Sequence, residues 1–235
     1  MSDNLKSFVF AGVLCFVCSL LLTAASSGLK EFQQKNIALD KQKNILQSVE
    51  LLDADQTYSP EDIEKLYADS IRSVWTAGDG KILDSGKKGS EDLPVYLYMR
   101  GETIQSYIIP IETRGLWGKI FGYLAVQNDG TTVSGFTVYK HSETPGLGGE
   151  IEKRWFQKNF KGKKLVDHGG NFMSVSIAKG AVSDGVPREK QPHHVDGISG
   201  ATLTGKFLSA GLEDILRQYE PVAVKFRRNR EKSGE

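Results

Sequence analysis

Cysteine and histidine are nearly absent from this sequence of 235 residues, which contains two cysteines and four histidines. The two cysteines, Cys15 and Cys18, lie in an apolar stretch. That stretch holds no second Cys-x-x-Cys pair, no histidine partner and no charge that would tune a thiol, which argues against a redox or metal site there. The rest of the chain therefore has no disulfide framework, and we predict no metal site.

An excess of one charge is also missing, since 30 Lys and Arg residues stand against 29 Asp and Glu residues. A nucleic-acid surface needs a basic face, so nucleic acid is not a predicted partner. The sequence has no Gly-x-Gly-x-x-Gly dinucleotide motif, no phosphate-binding loop and no Ser–His–Asp arrangement with recognisable spacing. We therefore expect this chain to contain no NADH site, no quinone site and no catalytic residue of its own.

The longest uncharged stretch covers residues 7–29 and lies between Lys6 and Lys30. At about 1.5 Å per residue, some twenty helical residues cross a hydrocarbon core roughly 30 Å thick. We predict a short N-terminal tail over residues 1–6 and a single transmembrane helix over residues 7–29. A cleaved signal peptide is the alternative, because small residues follow the apolar run. More lysines follow the stretch than precede it, so the positive-inside rule does not favour export.

The remaining residues predict one α+β domain with an antiparallel sheet flanked by helices. Residues 30–56 predict an amphipathic juxtamembrane helix or stalk, residues 57–222 the soluble domain, and residues 223–235 a charged tail whose last ten residues are expected to be disordered. Ser59 is a candidate N-cap, with a proline next to it at the first helical position. Runs rich in Val, Ile, Tyr and Phe, separated by Gly, Asp and Asn turns, predict the strands.

The stretch "DGISGATLTGKF", residues 196–207, places small and hydroxylated residues directly before a periodic apolar pattern that predicts a helix. The free N–H groups and the positive dipole end of a helix N-terminus bind phosphate well. A hydroxyl held beside a bound phosphate is placed to be esterified to it. The alternative is an ordinary helix cap preceded by a glycine turn.

This stretch resembles the flavinylation motif of the FMN-binding domains of bacterial respiratory complexes. The resemblance implies that FMN is joined through its phosphate to Thr202, with Thr204 as the nearest competitor. It also implies that a separate flavin transferase uses FAD as the donor and releases AMP. The recognition loop and phosphate seat would then be formed by Asp196, Ser199, Gly200 and Ala201.

A second stretch, "HSETPGLGGEIEKRWF" at residues 141–156, resembles the same family, in which this region lines the flavin. Its glycines, Gly146 among them, make a loop whose backbone can lie against a planar ring. Glu143 and Thr144 can hydrogen-bond the polar edge of that ring, and Leu147 can pack on its face. The alternative is a glycine-rich connector. Trp117, on a glycine-flanked loop, either covers a flavin or is a buried structural residue.

The layout resembles the C subunits of the Na+-translocating NADH:quinone oxidoreductases over most of residues 5–220. The resemblance implies an electron-carrier subunit that relays electrons from NADH towards ubiquinone through covalent FMN, while the whole complex exports Na+. It implies the other subunits of that complex as partners and a single-pass location in the bacterial inner membrane, with the soluble domain in the periplasm. Two alternatives stay open: the G subunit of the Rnf ferredoxin:NAD+ complex, and a membrane-anchored binding domain without a cofactor.

Overall fold

The computed structural model describes residues 3–53, 55–83, 89 and 92–233, and it divides the chain into two compact units, Met1–Asp40 and Lys41–Glu235. The predicted α+β class is confirmed. Residues 1, 2, 234 and 235, which belong to the two predicted tails, lie outside the described residues. The helices are α1 (Asp3–Ser48), α2 (Pro60–Ser70), α3 (Arg154–Lys158), α4 (Val182–Gly185) and α5 (Thr202–Ser233).

Helix α1 is long and apolar enough to cross a membrane, by its length and composition. It begins at Asp3, so residues 3–6 of the predicted short tail are helical. Lys6 forms an i,i+3 ion pair with Asp3 in this first turn, a spacing at which side chains meet on a helix surface. No proline interrupts the segment, so the helix has no reason to end at residue 29.

The second unit, Lys41–Glu235, is called the soluble unit below. It is built on a six-stranded antiparallel sheet with the order β2-β1-β3-β4-β5-β6. The predicted runs rich in Val, Ile, Tyr and Phe form the long strands of this sheet, and the short strands β7 and β8 form a separate parallel pair. The strands are β1 (Ile71–Thr76), β2 (Ile82–Leu83), β3 (Leu93–Arg100), β4 (Thr103–Arg114), β5 (Lys119–Gln127), β6 (Val133–Lys140), β7 (Ser176–Ile177) and β8 (His194–Val195).

Helix α5 covers one face of the sheet with a buried apolar stripe that includes Leu208, Leu212 and Leu216. The stripe continues beyond residue 222, because Ala223 is buried and Phe226, only 9% exposed, stacks on Tyr107 with ring centroids 4.7 Å apart. The charged tail predicted from residue 223 therefore continues α5, and the disorder predicted for the last ten residues is wrong for residues 226–233. Charged residues dominate the composition of this segment, but its apolar residues keep the helical spacing.

The other face of the sheet is covered by the C-terminal end of α1 and by the residues after it. Ile45 and Leu46 are buried, and the Thr137 hydroxyl donates a hydrogen bond to the carbonyl of Asn44 at 3.3 Å. Beyond the helix, Arg154 forms ion pairs with Asp53 and Asp55. Residues 41–53 and 55–56 of the predicted stalk therefore belong to the folded domain rather than to a separate linker.

Helix α2 begins as the sequence predicts. The Ser59 side chain accepts a hydrogen bond from the backbone N–H of Asp62, and Pro60 is the first helical residue. This satisfies one of the N–H groups that a helix start leaves without an intrahelical partner. The helix ends directly before β1 at Ile71.

The buried end of α5 gives the first prediction. Replacing Phe226→Ala removes a ring stacked on Tyr107 and should lower the free energy of unfolding by about 3 kcal/mol, in the range typical of buried Phe truncations. The neighbouring Lys225→Ala change removes only an exposed ion pair with Asp79 and should cost less than about 1 kcal/mol. Urea unfolding of the detergent-solubilised chain measures both. If both changes lowered the free energy of unfolding by the same small amount, residues 223–233 would be a disordered tail rather than a packed helix.

Candidate functional site

A cavity of about 300 Å³ lies where three segments of the soluble unit meet. One segment is the loop between β4 and β5, the second follows β6, and the third is the start of α5. The cavity is lined by Leu116, Trp117, Glu143, Thr144, Leu147, Gly148, Gly200, Ala201, Thr202, Leu203 and Thr204. The two stretches singled out in the sequence, which are separated by residues 157–195, therefore contribute to one site.

Thr202 is the first residue of α5 and its side chain is exposed at the cavity. The turn before it contains Gly200 at φ +74°, in the left-handed region that glycine adopts without strain. A Cβ at Gly200 would lie 2.8 Å from a methyl group of Leu147, so this turn also packs closely against the opposite loop. The first N–H groups of a helix have no intrahelical partner, and the first turn of this long helix lines the cavity together with Thr202.

Thr204 has the opposite environment, although it is only two residues away. Its side chain is 2% exposed, and its hydroxyl donates a hydrogen bond of 2.5 Å to Glu143 Oε2. Because an α-helix makes one turn in 3.6 residues, side chains two positions apart point to nearly opposite sides, and that of Thr204 points to the buried side of α5. The hydroxyl of Thr204 is therefore committed to an internal contact, whereas that of Thr202 is accessible.

Glu143 lies at the centre of the site and is only 4% exposed. Its Oε2 accepts from Thr204, its Oε1 accepts from the backbone N–H of Trp117 at 3.0 Å, and its own N–H donates to His141 Nδ1 at 3.0 Å. One side chain thus ties all three segments together. The carboxylate lies against the backbone at positions 115 and 148, where a Cβ would collide with its oxygens, so both positions require glycine.

The imidazole of His141 continues the network outwards. Because its Nδ1 accepts from the N–H of Glu143, its Nε2 is assigned as the donor to Glu152 Oε2, 3.1 Å away. A hydrogen bond from Lys153, together with the one from His141, holds the pKa of the Glu152 carboxyl below its usual value, although partial burial opposes this. The loop after β6 is therefore anchored on both sides of Glu143.

The rim of the cavity is apolar and exposed. Trp117 is 69% exposed, which rules out the buried structural role, and Leu116, Leu147 and Leu203 are exposed beside it. Sequence reasoning missed Leu116 and Leu203. The signal for Leu203 was its position: it is an apolar residue in the first helical turn that falls outside the buried stripe of α5.

Three predicted site residues do not line the cavity. Asp196 instead accepts a hydrogen bond from the backbone N–H of Val182 at 2.7 Å, which fixes the loop before α5. Burial lowers the pKa of Lys163, and the charge of Asp196 opposes that effect. Ser199 is exposed, and Gly146, at φ +74°, makes the turn that brings Leu147 to the rim.

The range 115–217 matches the family model described as "FMN-binding domain". It includes every residue that lines the cavity, so the fold and the site define an FMN-binding domain. The C subunit of the Na(+)-translocating NADH-quinone reductase of Vibrio campbellii is 35% identical over 239 residues, which cover 87% of this chain and 87% of the relative. Its counterpart in Neisseria meningitidis serogroup B is 36% identical over 243 residues, covering 88% of this chain and 89% of the relative.

A solved structure agrees with the sequence relatives. The crystal structure of the C subunit of the Na(+)-translocating NADH-quinone reductase from Parabacteroides distasonis matches with a TM-score of 0.69 at 30% identity, covering 83% of this chain and 96% of that chain. The chain therefore belongs to the family of C subunits of the Na+-translocating NADH-quinone reductases. The family expected from the sequence is confirmed.

The contact between Gly148 and the Glu143–Thr204 pair gives the second prediction. A Cβ at Gly148 would lie 2.5 Å from Thr204 Oγ1 and 2.7 Å from Glu143 Oε2, so Gly148→Ala should force the pair apart. Overpacking of this kind costs about 1–3 kcal/mol, or a few degrees in the thermal midpoint. Gly180→Ala, where a Cβ meets nothing within 4 Å, is the control. A thermal midpoint of Gly148→Ala equal to that of the control would contradict the close packing.

Proposed function

We propose that this chain carries FMN esterified through its phosphate to Thr202 and relays electrons within a Na+-translocating NADH-quinone reductase. The observation that supports this most directly is the contrast between two neighbouring hydroxyls. Thr202 is exposed at a helix N-terminus beside the cavity, and Thr204 is buried and bonded to Glu143. Only Thr202 combines an accessible hydroxyl with N–H groups that attract a phosphate.

The residues at the site fit FMN in chemical character. Free N–H groups at the start of α5 suit the phosphate, and the apolar rim of Trp117, Leu147 and Leu203 suits a planar ring. A volume of about 300 Å³ is at the lower end of small-molecule pockets, so part of a ligand of this size would lie over the exposed rim. The ring would supply the redox chemistry, and the protein would set its position and surroundings.

The attachment step requires a second protein. A flavin transferase would move the FMN part of FAD to Thr202, so that a bond forms between Thr202 Oγ and the flavin phosphate while the pyrophosphate bond of FAD breaks. AMP leaves, and the proton of the hydroxyl is lost. The exposed position of Thr202 leaves the hydroxyl open to such an enzyme, and the fixed loop before it presents the recognition residues.

The proposed relay role is based on the absence of a dinucleotide-binding motif and on the complex to which the named relatives belong. The sequence of this chain has no dinucleotide-binding motif, so the electrons would reach the flavin from another subunit and leave it for another towards ubiquinone. The named relatives are subunits of a Na+-translocating NADH-quinone reductase, and export of Na+ would be a property of the whole complex. A covalent bond keeps the carrier from being lost by dilution.

The location follows from α1. A helix of this length and apolarity would anchor the chain in the bacterial inner membrane as a single-pass protein. The soluble domain would lie in the periplasm, as the family resemblance implies. No charged residue lies within residues 7–29, so we assign ion translocation to the other subunits.

Flavin attachment is tested with isosteric valine variants made alongside a flavin transferase. Thr202→Val should abolish the fluorescent band in denaturing gels and the mass increase of one FMN less water. Thr204→Val should keep both, because its hydroxyl makes only an internal contact. In-gel fluorescence and intact mass measure the two effects.

Two results would contradict the attachment site. Loss of the flavin in Thr204→Val but not in Thr202→Val would move the ester to Thr204. An unmodified wild-type chain, with the transferase active on a known target, would leave the segment as a helix cap and the protein as an anchored domain without a cofactor.

Orientation is tested by cysteine labelling in intact cells, after replacing Cys15 and Cys18 by serine. A membrane-impermeant maleimide should label Lys119→Cys, at an exposed position in β5, without lysis. Asn4→Cys, at the start of α1, should be labelled only after lysis. The reverse pattern would place the domain in the cytoplasm.

A further inference from the structure

Glu143 carries a buried carboxylate that forms no ion pair with a described residue, although the positive end of α5, which it contacts through Thr204, offsets part of its charge. Both oxygens accept hydrogen bonds, from the hydroxyl of Thr204 and the backbone N–H of Trp117, and both donors are neutral. Among the residues that the structure describes, no Lys, Arg or His side chain forms an ion pair with it. The imidazole of His141 faces the backbone N–H of Glu143 and the carboxylate of Glu152 instead.

Such an arrangement is costly for folding. A carboxylate loses hydration when it is buried, and neutral hydrogen-bond donors compensate less than an ion pair with good geometry does. A neutral side chain of the same size would hold Trp117 and Thr204 with less desolvation. The two glycines at 115 and 148 make room for the carboxylate, so the backbone around it is adapted to this one group. This points to a role for the charge itself.

The charge lies in the wall of the cavity that also contains Thr202. We propose that the fixed negative charge of the Glu143 carboxylate lowers the reduction potential of the flavin on Thr202. The inference rests on the proposed function. A negative charge in a poorly hydrated site opposes the addition of electrons to a neighbouring ring, and the effect is larger there than in water.

A purely mechanical role is the competing explanation. Glu143 also connects the Trp117 loop to α5, so its loss would loosen the cavity whatever its charge. Thr204→Val separates the two roles, because it breaks the same hydrogen bond to Glu143 Oε2 and leaves the carboxylate in place. Glu150→Gln is the charge control: Glu150 lies in the same connector, but its carboxylate accepts a hydrogen bond from Trp155 Nε1 and does not line the cavity.

The experiment is a spectroelectrochemical titration of the bound flavin in the full-length chain, made with a flavin transferase and purified in detergent. Glu143→Gln should move the flavin midpoint potential in the positive direction relative to wild type. Glu150→Gln should leave it unchanged, and Thr204→Val should move it less than Glu143→Gln does. The fluorescent band and the far-UV circular dichroism of each variant confirm that it is flavinylated and folded.

Three results would overturn the inference: an unchanged potential in flavinylated Glu143→Gln, an equal shift in Glu150→Gln, or an equal shift in Thr204→Val. If Glu143→Gln does not fold, Glu143→Asp and Glu143→Asn give the same comparison with a shorter side chain. The Asp variant should then have the more negative potential, and equal potentials would overturn the inference. A wild-type chain without covalent flavin would instead refute the proposed function, which the mass measurement detects separately.

Discussion

The Glu143 carboxylate, through its hydrogen bonds from Thr204 and from the backbone N–H of Trp117, is the group on which the site depends. It joins the first turn of α5 to the loop after β6, and the second oxygen of Glu143 adds the loop between β4 and β5. These three segments come from distant parts of the sequence, so no local propensity brings them together. Once they are joined, the start of α5 has a fixed place and Thr202 can only face outwards. The accessibility of one threonine is thus a consequence of the burial of the other.

The same helix performs two tasks that are usually separate. Its buried stripe, from Leu208 to Phe226, forms a large part of the core on the sheet, and its first turn forms the site. A helix packed on the sheet from Leu208 to Phe226 keeps its N-terminal N–H groups in one orientation, which favours the binding of a phosphate by several of them together. Packing far from the cavity therefore supports the geometry at the cavity. The stacking of Phe226 on Tyr107 belongs to this support even though it is distant from Thr202 in the sequence.

Local patterns in the sequence predicted much of this molecule, and their failures have physical causes. The N-cap at Ser59, the strands of the sheet and the helix after Gly200 depend on neighbouring residues, so they could be predicted. The end of α5 could not, because charged residues outnumber the apolar ones there and only the contact with Tyr107 shows that the segment is packed. Glu143 was predicted as a site residue, but its hydrogen bonds to Trp117 and Thr204 were not. These partners are 26 and 61 residues away in the sequence, so no local pattern indicates them. Trp117 stayed undecided for the same reason, since exposure depends on the tertiary structure.

The cost of burying a carboxylate gives a reason to look for function at Glu143 rather than for stability. Several other charged side chains of the soluble unit form ion pairs nearer the surface, such as Arg154 with the two aspartates after α1, and the buried carboxylate of Asp129 has Arg230 within 3.8 Å. The surface pairs are screened and contribute modestly, and they can be replaced without consequences for a distant site. Glu143 differs because its charge is shielded from water and placed in the wall of a cavity. In such a place electrostatic effects on a bound group are large while their contribution to folding is unfavourable, so selection on stability alone would favour a neutral residue.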